Sequence, residues 1–222
     1  MTGFSLWLDK TFFAFDLGVL GFYNKIALWG GKVFTPFMEF ISAFGKSGIF
    51  PLVLSIILML FKSTRKAGFS GLICFLVAGL FVNIILKPLV MRARPYQTHS
   101  QIKEWWTLVN AHTEKDYSFP SGHVSSFAST VIGICFGFKN KKWLFLGVPL
   151  ALLMCVSRNY LMVHYPTDVL ASLITSSIAV AIGVLITNKA FNKIEEKENK
   201  FSKFVLTASI VNLFKKKEKT KD

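Results

Sequence analysis

Long apolar runs separated by short charged turns set the pattern of this chain. Residues 67–86 are nearly continuous in apolar character and match the roughly 20 residues that an α-helix needs to cross a hydrocarbon core. A basic turn at 62–66 precedes them, and Lys87 follows. Residues 48–61 are as apolar but short, and they span only if they borrow residues 40–44 while Lys46 reaches back to the interface. Residues 123–138, rich in Ser, Ala, Gly and Thr, have the composition that lets membrane helices approach closely. Residues 143–163 and 169–187 complete five predicted spans. The pattern therefore predicts an all-α, polytopic membrane helical bundle. Residues 4–45 fit it less well, because Asp9, Lys10, Asp16, Lys25, Lys32 and Glu39 interrupt them and Gly30, Gly31 and Pro36 are breakers. That charge rhythm suits a helix lying in the interface or one poor span, and it would bring the core to six helices.

The organisation follows: an N-terminal helical segment (1–47), a transmembrane core (48–188) and a basic tail (189–222). Within the tail, Phe201, Phe204, Val205 and Ala208 recur at helical spacing before Lys215–Lys217, which suits an amphipathic helix on anionic lipid; a solvated tail fits the pattern equally. Residues 96–119 form the one long polar connection, with Trp105 and Trp106 suited to the headgroup zone.

Composition agrees with a membrane domain: 52% of the 222 residues are hydrophobic and mean hydropathy is +0.48. A net charge of +14 raises nucleic acid as a partner, but the basic residues crowd into the tail and turns such as 139–142, where they are topology signals and anionic-lipid contacts. Nucleic-acid binding is excluded on that ground. Basic turns at 62–66 and 139–142 and the tail fall on one side of five spans, which the positive-inside rule makes cytoplasmic in a multi-pass plasma-membrane protein. Asp9 and Lys10, with no small-residue cleavage site, argue against a removable signal peptide. Cys74, Cys135 and Cys155 lie in apolar segments without CxxC spacing and are expected to be lipid-facing or core thiols.

The opposite, extracytoplasmic side collects the polar residues that could do chemistry. At residues 119–123 a polar connection turns into an apolar helix through Phe119, Pro120, Ser121, Gly122 and His123. Such a corner can hold an anion on backbone N–H groups and protonate it. Lys87 and Arg94 can share a helix face if the helix persists through Pro88, and Arg158 comes from another span. Three fixed cations match a phosphate. His164 and Asp168 are four residues apart, so the carboxylate can accept Nδ1–H and leave Nε2 nucleophilic. His123 would approach from the other side and protonate a leaving oxygen. Arg92 has no partner in the pattern and reads as an interfacial anchor; His99 and His112 read as merely polar.

Three motifs, K-x6-R-P at 87–95, P-S-G-H at 120–123 and S-R-x5-H-x3-D at 157–168, together resemble the signature of the type 2 phosphatidic acid phosphatase superfamily. The resemblance implies that Lys87, Arg94, Ser121, Gly122 and Arg158 hold phosphate oxygens, that His164 forms a phosphohistidine oriented by Asp168, and that His123 protonates the leaving group and then activates water. It implies neither metal nor cofactor. It points to a lipid phosphate or diphosphate as substrate, undecaprenyl diphosphate before phosphatidylglycerol phosphate. A phosphotransferase on the same scaffold and a non-catalytic lipid-phosphate binder or transporter remain alternatives.

Overall fold

The apolar runs close into helices, because in lipid each backbone N–H and C=O must be satisfied within its own segment. A computed structural model of the chain describes residues 2–197 and 199–207, with side chains omitted at Phe201 and Lys203, and contains no strand among them. Ala208 and Lys215–Lys217, part of the expected amphipathic tail, lie outside the described residues.

Helix α1 (Gly3–Gly45) starts at a Thr2 cap whose side chain accepts from the Ser5 amide. It kinks at Gly30 and carries Pro36. Lys46–Gly48 then breaks the chain, with Ser47 and Gly48 at φ 53° and 65°, and α2 (Ile49–Met59) continues. Gly48 is needed twice over, since a Cβ there would meet the Phe75 ring at 2.5 Å. Next come α3 (Arg65–Gly79), a π-helical stretch (Leu80–Leu86) and α4 (Lys87–Val90). The long connection folds into α5 (Pro95–Thr98) and α6 (Ser100–Leu108), and α7 (Gly122–Gly137), α8 (Leu144–Tyr160), α9 (Pro166–Glu195) and α10 (Lys200–Thr207) complete the bundle.

Among the described residues, four stretches of helix are long and apolar enough to cross a membrane: Gly3–Met59, Arg65–Thr98, Lys141–Tyr160 and Pro166–Glu195. Helix α7 is shorter and lies among α3, α8 and α9. Small residues allow that approach. A Cβ on Gly133 of α7 or Gly183 of α9 would come within 2.5 Å of Cys74 Sγ on α3. All three cysteines are buried and free, so they are core thiols rather than lipid-facing ones.

The two halves of α1 behave differently. Before the kink, Leu8 packs with Val90 and Phe119, and Leu20 with Tyr96, Ile102 and Tyr160, at the end of the bundle where the motifs gather. After it, α1 runs antiparallel to α8: Thr35 Oγ1 meets the Tyr160 hydroxyl at 2.9 Å and Ser157 Oγ donates to the Met38 carbonyl at 2.6 Å.

Candidate active site

Helix ends build the site. Lys87 opens α4 directly after the π-helical stretch, whose Asn83 also faces the cleft. The helix passes Pro88 but stops at Val90, where Met91 adopts φ 51°. Lys87 and Arg94 therefore do not share a helix face, as the sequence suggested they could. Arg94 instead arrives from the N-cap of α5, brought back by the left-handed turn at Met91. Arg158 lies in the last turn of α8, His164 in the turn between α8 and α9, Asp168 in the first turn of α9 and His123 in the first turn of α7.

Lys87, Arg94, Gly122, His123 and His164 line one cleft of ≈ 470 Å³. A side cleft of ≈ 430 Å³ shares His123 and adds Arg158. Ser121 lines neither. It caps α7 with a hydroxyl 3.5 Å from the Val124 amide, and its own N–H donates to Ser172 Oγ at 2.7 Å, so it shapes the corner from behind. Gly122 does face the cations, because a Cβ on it would sit 3.6 Å from Lys87 Nζ.

The hydrogen bonds assign the imidazole tautomer. Arg94 Nη1 lies 2.9 Å from His164 Nε2, and a guanidinium can only donate, so Nε2 carries the lone pair and Nδ1 the proton. Nδ1 faces Asp168 Oδ2 at 3.6 Å and has no closer partner among the described residues. Burial, then the charges of Arg94, Arg158, Lys87 and His123, hold the His164 pKa well below its usual 6.5, which keeps the ring neutral. Asp168 Oδ2 also accepts from Ser118 Oγ at 2.5 Å and the Tyr165 amide at 3.0 Å.

Two carboxylates that the motifs do not contain occupy the cations. Asp116 pairs with Lys87 and Arg94, and Glu114 pairs with Arg158 Nη2 at 2.5 Å, while Ser42 Oγ takes Arg158 Nη1 at 2.5 Å. Burial pushes the Asp116 pKa up, but Lys87 and Arg94 outweigh it and hold the group below the ordinary carboxylate range. Arg158 Nε is buried without a partner among the described residues, a donor still to be used. No group of three His, Cys, Asp or Glu among the described residues is placed to ligate a metal ion.

Arg92 corrects the sequence reading outright. It is fully buried rather than an interfacial anchor, and its partners are Asp9, Asp16, Thr167 and Asp168. One signal for it was present: Asp9 and Asp16 fall seven residues apart in an apolar helix, and such carboxylates need a partner. Of the other histidines, His99 packs its ring 4.7 Å from Phe13, and His112 is exposed at the rim of the side cleft.

Comparison with known proteins bears on this constellation. The chain is 31% identical over 179 residues to the undecaprenyl-diphosphatase of Sulfolobus acidocaldarius, covering 78% of this chain and 79% of that protein. It is 29% identical over 178 residues to the lipid A 4'-phosphatase of Bacteroides thetaiotaomicron, covering 75% and 77%. Against undecaprenyl-diphosphatase BcrC of Bacillus subtilis it is 35% identical over 127 residues, 56% of each chain. No solved structure matches significantly. The sequence profile of the PAP2 superfamily matches residues 68–194, the stretch that carries all three motifs, and the chain belongs to that superfamily.

Proposed function

We propose that this hydrolase of phosphoric monoesters or diphosphates removes the terminal phosphate of a membrane lipid, with undecaprenyl diphosphate as its substrate, through a phosphohistidine at His164. The observation that carries the reading is the gathering of Lys87, Arg94, His123 and His164 around one cleft, with Arg158 in an adjoining cleft that shares His123. That cleft also reaches down between Phe75, Gly79 and Ser126, so a headgroup in the cradle leaves its chain directed toward lipid.

The chemistry runs as follows. The terminal phosphate replaces Asp116 and Glu114 on Lys87, Arg94 and Arg158, and the free Arg158 Nε supplies one more donor. Arg94 Nη1 turns from His164 Nε2 onto the incoming phosphate, and the freed Nε2 lone pair attacks phosphorus as the P–O bond to the lipid breaks, while Nδ1–H faces Asp168, which stabilises the cationic ring that forms. His123 gives a proton to the departing lipid-phosphate oxygen, then takes one from the water that attacks the phosphohistidine; the P–N bond breaks and inorganic phosphate leaves. The basic turns at 62–66 and 139–142 and the basic tail support a reading in which this cleft faces the extracytoplasmic side of the plasma membrane, with the C-terminus in the cytoplasm and the tail near anionic lipid.

A lipid A-type sugar phosphate is a second reading, favoured by the likeness to the Bacteroides thetaiotaomicron enzyme. The deciding experiment measures phosphate release by the purified protein from undecaprenyl diphosphate, phosphatidylglycerol phosphate, phosphatidic acid and lipid A, comparing kcat/KM. A long-chain prenyl diphosphate is expected to lead by at least about tenfold; a lead by lipid A selects the second reading.

A further inference from the structure

Apart from Asp168, the cluster behind the cleft is not used by the chemistry above. Arg92, from the 91–94 turn, donates from Nε to Asp9 at 2.8 Å, from Nη2 to Asp16 at 3.0 Å, and from Nη1 to Thr167 Oγ1 at 2.8 Å and Asp168 Oδ1 at 2.6 Å. Its guanidinium carbon lies 3.8 Å from the centre of the Tyr165 ring, next in sequence to His164. Asp16 in turn accepts from the Thr167 amide at 2.9 Å and the Thr167 hydroxyl at 2.8 Å, at the start of the helix that carries Asp168. Asp9 and Asp16 lie on α1, outside the 68–194 stretch that the family profile matches.

We propose that Arg92, held in place by Asp9 and Asp16, is a positioning residue for the reaction: it fixes Asp168 so that Oδ2 faces His164 Nδ1, and thereby makes the first half of α1 part of the catalytic apparatus. This rests on the reading of His164 as nucleophile. Three observations support it. Asp168 has its two oxygens divided, Oδ1 to Arg92 and Oδ2 to Ser118, Tyr165 and the imidazole side, so Arg92 sets the rotation of the carboxylate. Arg92 spreads its hydrogen bonds over α1 and α9, which pins its plane. Three carboxylates face one guanidinium, and this excess of negative charge lies on the side of His164 where the ring becomes cationic when Nε2 bonds phosphorus. An apolar plug would seal the bundle without the cost of burying the charges of Arg92, Asp16 and Asp168, so sealing alone does not account for these residue types.

The test compares Arg92→Lys, Arg92→Met, Asp16→Asn, Asp168→Asn and the double variant Asp16→Asn/Asp168→Asn in the full chain in detergent, with His164→Ala as reference. Partners that orient a histidine typically contribute about 10–100-fold, and kcat is expected to fall by that much in Asp16→Asn and Arg92→Met, with partial recovery in Arg92→Lys. KM and the inhibition constant of inorganic phosphate should stay within about twofold, because the cations of the cleft are untouched. Action through Asp168 also requires that the double variant be no slower than Asp168→Asn alone. Losses that multiply, or KM and phosphate inhibition that shift together with kcat, assign the cluster to structure and overturn the proposal. Full kcat in Asp16→Asn does the same. An active His164→Ala would overturn the nucleophile reading instead, a distinct result from a dead His164→Ala beside fully active Asp16 and Arg92 variants. Asp16→Asn keeps side-chain size and retains Arg92, so the question stays answerable if Arg92→Met does not fold.

Discussion

Two guanidinium–carboxylate clusters flank the His164–Asp168 pair, and they differ in one respect. In the cleft, the partners of Lys87, Arg94 and Arg158 are Asp116 and Glu114, whose side chains are 53% and 26% exposed. Behind it, Arg92 and its partners Asp16 and Asp168 are sealed, at most 1% exposed. Pairs that water reaches contribute about 0–1 kcal/mol, whereas breaking a sealed pair by removing one partner costs about 3–5 kcal/mol. The same ionic chemistry is thus exchangeable on one side and permanent on the other. A phosphate can take the place of Asp116 and Glu114; nothing of ordinary affinity displaces Asp16 from Arg92.

His164 belongs to both sides, and its loss is expected to have the largest effect. Phosphate release by His164→Ala should fall by about 10³-fold or more while the protein elutes from a sizing column as the parent does. Near-normal turnover would end the nucleophile assignment. On the open side, Arg158→Ala is expected to lower kcat/KM by about 10²–10³-fold and to raise the inhibition constant of inorganic phosphate, a pattern opposite to that of the sealed cluster. Should phosphate inhibition be unchanged, Arg158 is not part of the cradle.

Smaller effects sharpen the contrast. With His164 as nucleophile, the acid limb of kcat/KM should lie below pH 6.5, because an attacking imidazole must be neutral and the His164 pKa is lowered. As pH falls through that lowered value the ring protonates and rate is lost; burial first, then Arg94, Arg158, Lys87 and His123, lower it. Arg94→Met removes the largest of those charges and should move the limb upward; a limb that stays put would mean that another group titrates. Smallest of all, Asp116→Asn is expected to tighten inorganic phosphate by about threefold, since the exposed pair it removes amounts to under about 1 kcal/mol. Weaker phosphate binding would show Asp116 to be a binding group rather than a placeholder.

Much of the bundle could be read from the chain because lipid imposes it locally. Runs at 67–86, 143–163 and 169–187 become α3 with its π-helical extension, α8 and α9, for no other backbone arrangement satisfies itself there. Residues 4–45 were ambiguous for a physical reason: their charges serve two halves of one kinked helix, the first over the site end and the second along α8. The polar connection at 96–119 showed no apolar period, yet Ile102 and Val109 bury themselves against Leu20 and Tyr160, so tertiary contact makes α6.

By itself the sequence determined the helices of the long apolar runs and the motif residues, because each depends on neighbours within a turn or two. Tertiary structure alone decided who partners whom. Arg92 meets Asp9 across 83 residues and Asp16 across 76, and Lys87 and Arg94 meet Asp116 across 29 and 22. Whether a charged group is an anchor, a cap or part of a site depends on what burial places opposite it, and burial is a property of the packed bundle, not of any local run of residues.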